Sequence, residues 1–280
     1  MRPLIAFLAA AASLSLTGAA NAAGPASVEV KDAVARITVI PENRADVKVE
    51  ITQANPRLPL QVRTLMGRTI VDGNLGRKLR GCRGVGDSAV VGVRRVGDVR
   101  WADMPRLVIR TPRDVNIDTG GAVWGTIGRS ASLKLGAAGC GDWMIGNVVG
   151  AMTISLALSG DTRTGSAGAA KIRLAGPGDV ATADVKGKVE IDVAGPGNVS
   201  VASVAGPLTV RSMGSGNVKI GAGQATTMTV TIAGSGNVDF RGVADSLKAH
   251  VAGSGDVHVH QVTGPVTKSI LGSGGVTIGG

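Results

Sequence analysis

Apolar and polar residues alternate along most of this chain, and from Gly139 onward the alternation restarts at nearly constant intervals marked by Gly-x-Gly-Asx-Val. The copies are Gly176-Pro177-Gly178-Asp179-Val180, Gly195-Pro196-Gly197-Asn198-Val199, Gly214-Ser215-Gly216-Asn217-Val218, Gly234-Ser235-Gly236-Asn237-Val238 and Gly253-Ser254-Gly255-Asp256-Val257. A last copy, Gly272-Ser273-Gly274-Gly275-Val276, lacks the Asx. First glycines at 176, 195, 214, 234, 253 and 272 give intervals of 19, 19, 20, 19 and 19 residues. Leu158-Ser159-Gly160-Asp161-Thr162 and Gly139-Cys140-Gly141-Asp142-Trp143 keep the phase, and a degenerate copy lies near Gly120-Gly121.

Aligning the copies turns the alternation into columns, because successive side chains of a strand point to opposite faces. The first inward column is Trp143, Thr162, Val180, Val199, Val218, Val238, Val257 and Val276. The second is Ile145, Thr164, Thr182, Val201, Ile220, Phe240, Val259 and Ile278. A third precedes each motif: Leu135, Ile154, Ile172, Ile191, Val210, Val230 and Ala249, with Lys268 next in line. Val185, Val204, Val243 and Val262 form a fourth. Short strands that stack like residues on like residues every 19 positions predict an all-β, right-handed parallel β-helix, a β-solenoid of about 19 residues per coil, each coil rising about 4.8 Å. Such a unit has no room for a strand and a full crossover helix.

Residues 23–115 lack the motif. Val28, Val30, Val34, Ile37 and Val39, then Val47, Val49 and Ile51, then Leu107 and Ile109 read as strands, with Val115 and Ile117 leading into the array. A solenoid needs an atypical end over its core, so 23–115 is expected to be an N-terminal β cap and 116–280 the repeat domain. Trp101, Trp124 and Trp143 fall near the junction and are expected to pack there. Residues 1–22 read as a signal peptide: an apolar run from Leu4 to Leu16 precedes the small-x-small site Ala20-Asn21-Ala22. No later stretch is long and apolar enough to span a membrane, so no transmembrane segment is expected after cleavage.

Composition sharpens this. Glycine contributes 43 of 280 residues and aromatics only five, with no Tyr, so the core must be aliphatic and stacking platforms for single-stranded nucleic acid are missing. Cys82 and Cys140 are the only cysteines; in an oxidising compartment they read as one disulfide, against free thiols or half a metal site. The formal net charge of +10 falls to +9 without Arg2 and is uneven. Arg77, Lys78, Arg80, Arg83, Arg94, Arg95 and Arg100 face only Asp87 and Asp98 in their stretch. This reads either as a solvated loop or as a contact with an anionic envelope polymer.

Candidate chemistry is sparse. Asp142, Asp161, Asp179, Asn198, Asn217, Asn237 and Asp256 recur once per coil and are expected to form a structural turn ladder, each bonding local backbone while the glycines supply positive φ. Calcium is the competing reading, but three of the seven are neutral Asn. His258 and His260 point outward on one strand, where metal binding competes with surface pairing of Asp239 beside His258 and Arg241 beside His260. No catalytic set stands out, so no catalytic or metal residues and no cofactor are assigned.

The Gly-Ser-Gly-Asx-Val repeats, entered through Pro105-Arg106-Leu107-Val108-Ile109-Arg110-Thr111-Pro112, resemble the auto-transporter adhesin head domain family, also called the head GIN domain. The resemblance covers most of the chain after the leader and is strongest from Gly139 onward. It implies a secreted or envelope β-helical protein of bacteria with no established catalytic residues. The chain departs from it in two Gly-Pro-Gly copies, in Cys140 inside a motif and in Gly275. The expected function is therefore that of an exported, non-enzymatic, adhesin-like binding module of the cell envelope, periplasmic or at the cell surface. Its expected partner is an envelope or extracellular component, with an anionic polysaccharide as candidate, rather than nucleic acid. A carbohydrate-active β-solenoid enzyme and a scaffold self-associating end to end are the alternatives.

Overall fold

The computed structural model describes residues 26–84 and 86–279. The signal-peptide reading of residues 1–22 lies outside them. Among the described residues the secondary structure is strand apart from three short 3-10 turns, and no helix is long and apolar enough to cross a membrane.

The repeat region is a parallel β-solenoid of about nine turns. It begins with β1 (Ser27–Glu42), which pairs in parallel with β9 (Asp114–Ile127) from Val28↔Ile117 to Val39↔Ile127. β9 is long enough to carry both faces of the next coil, namely β10 (Ser132–Cys140) and β11 (Trp143–Ile145). From there two parallel sheets climb side by side. One runs through β10, β12 (Val148–Leu158), β14 (Ala167–Leu174), β16 (Val189–Val193), β18 (Leu208–Ser212), β20 (Met228–Gly234), β22 (Leu247–Gly253) and β24 (Val266–Gly272). The other runs through β11, β13 (Thr162–Thr164), β15 (Val180–Thr182), β17 (Val199–Ala205), β19 (Val218–Ala225), β21 (Val238–Ala244), β23 (Val257–Val262) and β25 (Val276–Ile278).

The first three predicted columns are the observed registers, from Trp143↔Thr162 to Val257↔Val276 and from Leu135↔Ile154 to Ala249↔Lys268. They form one continuous apolar core from Val28 to Val259. Phe240, in the second column, is fully buried. Lys268 keeps the register of its column but is exposed on the last coil, where its Nζ donates to Val276 O at 2.9 Å. The fourth column needs correction at Val243. Val185 and Val204 pair as expected, but bulges between Ile220 and Gln224 and between Phe240 and Val243 shift the register. Ala225, Ala244 and Val262 align instead, while Val243 pairs with Gln224 and Gln261 and is half-buried. A bulge adds one residue and reverses which side chain points inward.

The other edge of β1 is covered in parallel by β4 (Arg68–Asp72) and β8 (Arg106–Pro112). Outside these lie two antiparallel strands, β3 (Gln61–Leu65) on β4 and β2 (Lys48–Gln53) on β8. The segment joining β1 to β9 therefore folds back over the end of the stack and turns its strand direction there.

Candidate binding surface

The basic stretch is not the loop expected from its glycines. It forms a second, three-stranded antiparallel sheet of β5 (Leu79–Arg83), β6 (Val90–Val93) and β7 (Gly97–Arg100). Val91, Val93 and Val99 point to one face and are buried with Leu75, Ala89 and Met104 against Val34, Ala122 and Trp124 on the outside of the stack. Period-two alternation of small valines between glycines is enough to make this face apolar. A disulfide from Cys82 on β5 to Cys140 on β10 fixes the sheet to the solenoid.

The charge lies on the strands and on the turns around them: Arg80, Arg83 and Arg100 on β5 and β7, Arg77 and Lys78 on the 3-10 turn before β5, and Arg94 and Arg95 in the turn joining β6 to β7. Arg77, Lys78, Arg80, Arg83, Arg94, Arg95 and Arg100 are all exposed. Among the described residues, only Arg83 of the seven has a carboxylate partner, Asp98. Lys78 Nζ donates to Asn74 O at 3.0 Å. Six unneutralised cations on a tethered sheet and its flanking turns make a positive surface whose attraction for anions weakens with salt.

The Asx residues do form a ladder, running from coil to coil instead of within each turn. Asp142 Oδ1 accepts from Asp161 N at 2.9 Å, Asp161 Oδ1 from Asp179 N at 3.2 Å and Asp179 Oδ1 from Asn198 N at 2.8 Å. Asn198, Asn217 and Asn237 continue it onto Asn217 N, Asn237 N and Asp256 N at 3.0, 3.0 and 2.8 Å. Asp256 ends it on Gly275 N at 2.8 Å. The glycines meet the expected role in part, since Gly139, Gly141, Gly253 and Gly272 have positive φ, and they carry a second role as well. Gly178, Gly197, Gly216, Gly236, Gly255 and Gly274 do not have positive φ; a Cβ on any of them would run into the carbonyl oxygen of the matching glycine one coil earlier. Asn147, unnoticed in the sequence, repeats the ladder device at another corner by accepting from Ser166 N at 3.1 Å.

The histidine strand has the expected register only in part. Asp239 lies between Lys219 and His258, but its carboxylate pairs with Arg241 along its own strand at 3.1 Å. The bulge after Phe240 leaves Arg241 without a register partner on β23. Among the described residues, no group of three or more His, Cys, Asp or Glu gathers as a metal site.

Two features escaped sequence reading. One is a charge network across β14, β16 and β18: Lys171 Nζ lies 2.5 Å from Glu190 Oε2, Lys188 also pairs with Glu190, and Arg211 lies 3.3 Å from Asp192. Hydrogen bonds from the two lysines hold the Glu190 carboxyl at about 2, well below its ordinary value of 4.5. The other is a groove at the foot of the three-stranded sheet, lined by Arg36, Arg106 and Arg163 together with Trp101 and Trp124. Trp143 belongs to the main core, and its ring fills the space a side chain at Gly125 would need.

The chain matches no curated protein and no solved structure. The coils upstream of residue 170 depart most from the repeat, with Cys140, Trp143 and Thr162 at motif positions. Residues 170–280, by contrast, match the model of the family described as Putative auto-transporter adhesin, head GIN domain.

Proposed function

We propose that this chain is an exported, non-enzymatic binding module of the bacterial cell envelope, adhesin-like in kind, which contacts an anionic envelope or extracellular polymer. The observation that carries the reading is the three-stranded sheet, with six exposed basic side chains lacking carboxylate partners on a scaffold that the disulfide holds to the solenoid. An anionic polymer meets such a surface at many points, each weak and salt-sensitive and strong only together. The disulfide supports a place outside the cytoplasm, since such bonds persist in oxidising compartments. The match of residues 170–280 to an adhesin head domain supports a presenting role for the long solenoid.

A panel of acidic and neutral polysaccharides, followed both for retention of the protein and for release of reducing ends, tests the reading. Retention by acidic chains, eluted by salt, with no new reducing ends is expected. Release of reducing ends would replace the binding module by an enzyme.

A further inference from the structure

The groove beneath the three-stranded sheet encloses about 400 Å³. Its floor follows from register: Arg106 of β8 and Trp124 of β9 flank Arg36 of β1, and side chains at paired positions of a parallel sheet leave from the same face. Trp101, on the 3-10 turn Trp101–Asp103, forms one wall, and Asp142 and Arg163 line the side toward β11 and β13. Three arginines thus share the groove with one carboxylate. That carboxylate is already engaged, accepting from Asp161 N at 2.9 Å and from Gly86 N at 3.5 Å.

Arg36 is the unexplained group. Its guanidinium carbon stands 4.6 Å from the Trp101 ring centroid, and Trp101 meets Trp124 edge to face at 5.7 Å. Its Nε and Nη2 are buried, and neither has a hydrogen-bond partner among the described residues. These two N–H groups form one straight edge of the planar guanidinium, the edge that takes a carboxylate side-on through two parallel hydrogen bonds. Buried donors left unmade are costly and rare. Arg106, adjacent in register and without an ion pair among the described residues, adds like-charge repulsion. An acceptor arriving from outside relieves both.

We infer that this groove binds a carboxylate-bearing sugar, a uronic acid residue, held side-on by Arg36 Nε and Nη2. Arg106 and Arg163 add positive charge around the carboxylate, and the two indoles offer apolar walls to the sugar ring. The two-donor edge suits any two-oxygen anion, and the indole walls favour one carried on a sugar ring over free inorganic phosphate. Because both nitrogens are covered, the arriving acid must shift the side chains over them, and Trp101, half-buried on its turn, is the neighbour with room to move. The inference rests on the anionic-polymer reading but uses a different surface, so the two fail separately.

The test is a titration of the oxidised full chain, followed by tryptophan emission, with galacturonate, trigalacturonate, neutral galactotriose and inorganic phosphate. Saturable changes with both uronates are expected, and none with galactotriose or phosphate. Tighter binding of the trimer would place the acid within a polymer; equal binding would make the free sugar acid the ligand, and either result supports the pocket. Arg36→Gln and Arg36→Lys should each weaken uronate binding about tenfold or more, since neither retains the two-donor edge. Thermal melts confirm that these variants fold, and Arg163→Gln, at the exposed rim, gives a second and smaller loss. Arg94→Gln/Arg95→Gln, in the turn joining β6 to β7, should leave uronate binding unchanged. Equal affinity of wild type and Arg36→Gln, an equal response to phosphate, or no response to uronate would overturn the assignment. Loss of uronate binding in Arg94→Gln/Arg95→Gln, with Arg36→Gln binding as wild type, would move the uronate site to the sheet and remove the pocket.

Discussion

Asn217→Ala tests whether the Asx ladder joins one coil to the next. Asn217 Oδ1 accepts from Asn237 N at 3.0 Å and from Asn237 Nδ2 at 3.2 Å, while its own Nδ2 donates to Asn198 Oδ1 at 3.1 Å. Alanine removes three hydrogen bonds but leaves the neighbouring backbone bond from Val218 N to Asn237 O, at 2.8 Å. A neutral hydrogen bond contributes about 0.5–1.5 kcal/mol net. The turn is exposed, so water replaces part of what is lost and the low end applies, giving a cost of about 1–2 kcal/mol. Asn217→Asp keeps the acceptor for Asn237 N, gives up only the bond to Asn198, and should cost about 0.5 kcal/mol. For a chain of this size the alanine variant should melt roughly 2–4 °C lower, and the aspartate variant should stay close to wild type. Hydrogen exchange adds a local readout, because the Asn237 amide should lose protection in the alanine variant alone. If both variants melt together, or if the Asn237 amide exchanges at the wild-type rate in Asn217→Ala, the ladder is decoration on a stack held by its core.

Strand phase is tested by charge. Val218→Asp places a carboxylate in the first buried column and should abolish the cooperative melt, whereas Lys219→Asp, outward on the same strand, should melt within a few degrees of wild type. The Glu190 carboxyl is held at about 2 by Lys171 and Lys188, so its stabilisation is fully present above its ordinary value of 4.5 and is lost as pH falls through about 2. Solvent screening leaves about 1 kcal/mol of it, and chemical denaturation of Glu190→Gln should show a correspondingly flatter loss of stability over that acid range. Calcium at millimolar concentration should leave the melting midpoint unchanged, since each ladder Oδ1 from Asp142 to Asp256 already accepts a backbone N–H. A rise on adding calcium, reversed by chelator, would make the ladder a cation site.

The repeat is legible in the sequence because a parallel stack sets each residue on its counterpart one coil away, so a column such as Leu135 to Ala249 needs only a constant interval to be seen. Legibility stops where the interval slips. Val243 looked inward by its spacing, and only the paired bulges show that Ala244 takes its place. The glycines were recognisable through the positive φ that Gly139, Gly141, Gly253 and Gly272 have, but not through the close approach to a carbonyl one coil away that Gly178, Gly197 and Gly216 make. The three-stranded sheet hid among its glycines because three short strands bury only a few valines between them. Arg36, Trp101, Trp124 and Arg163 belong to four distant segments without a repeat to align them, so nothing in their spacing announces a common pocket. The folding of β2 to β8 over the end of the stack brings Trp101 beside Arg36.

The functional reading depends on whether the basic residues of the three-stranded sheet and its turns hold an anionic polymer. The most direct measurement is binding of the oxidised chain to an immobilised acidic polysaccharide, compared with a variant in which Arg77, Lys78, Arg80, Arg94, Arg95 and Arg100 are replaced by glutamine. Saturable, salt-sensitive binding by the wild type and its loss in the variant, with the melting midpoint unchanged, are expected. Equal binding by both proteins, or no binding by the wild type at low salt, would contradict the functional reading.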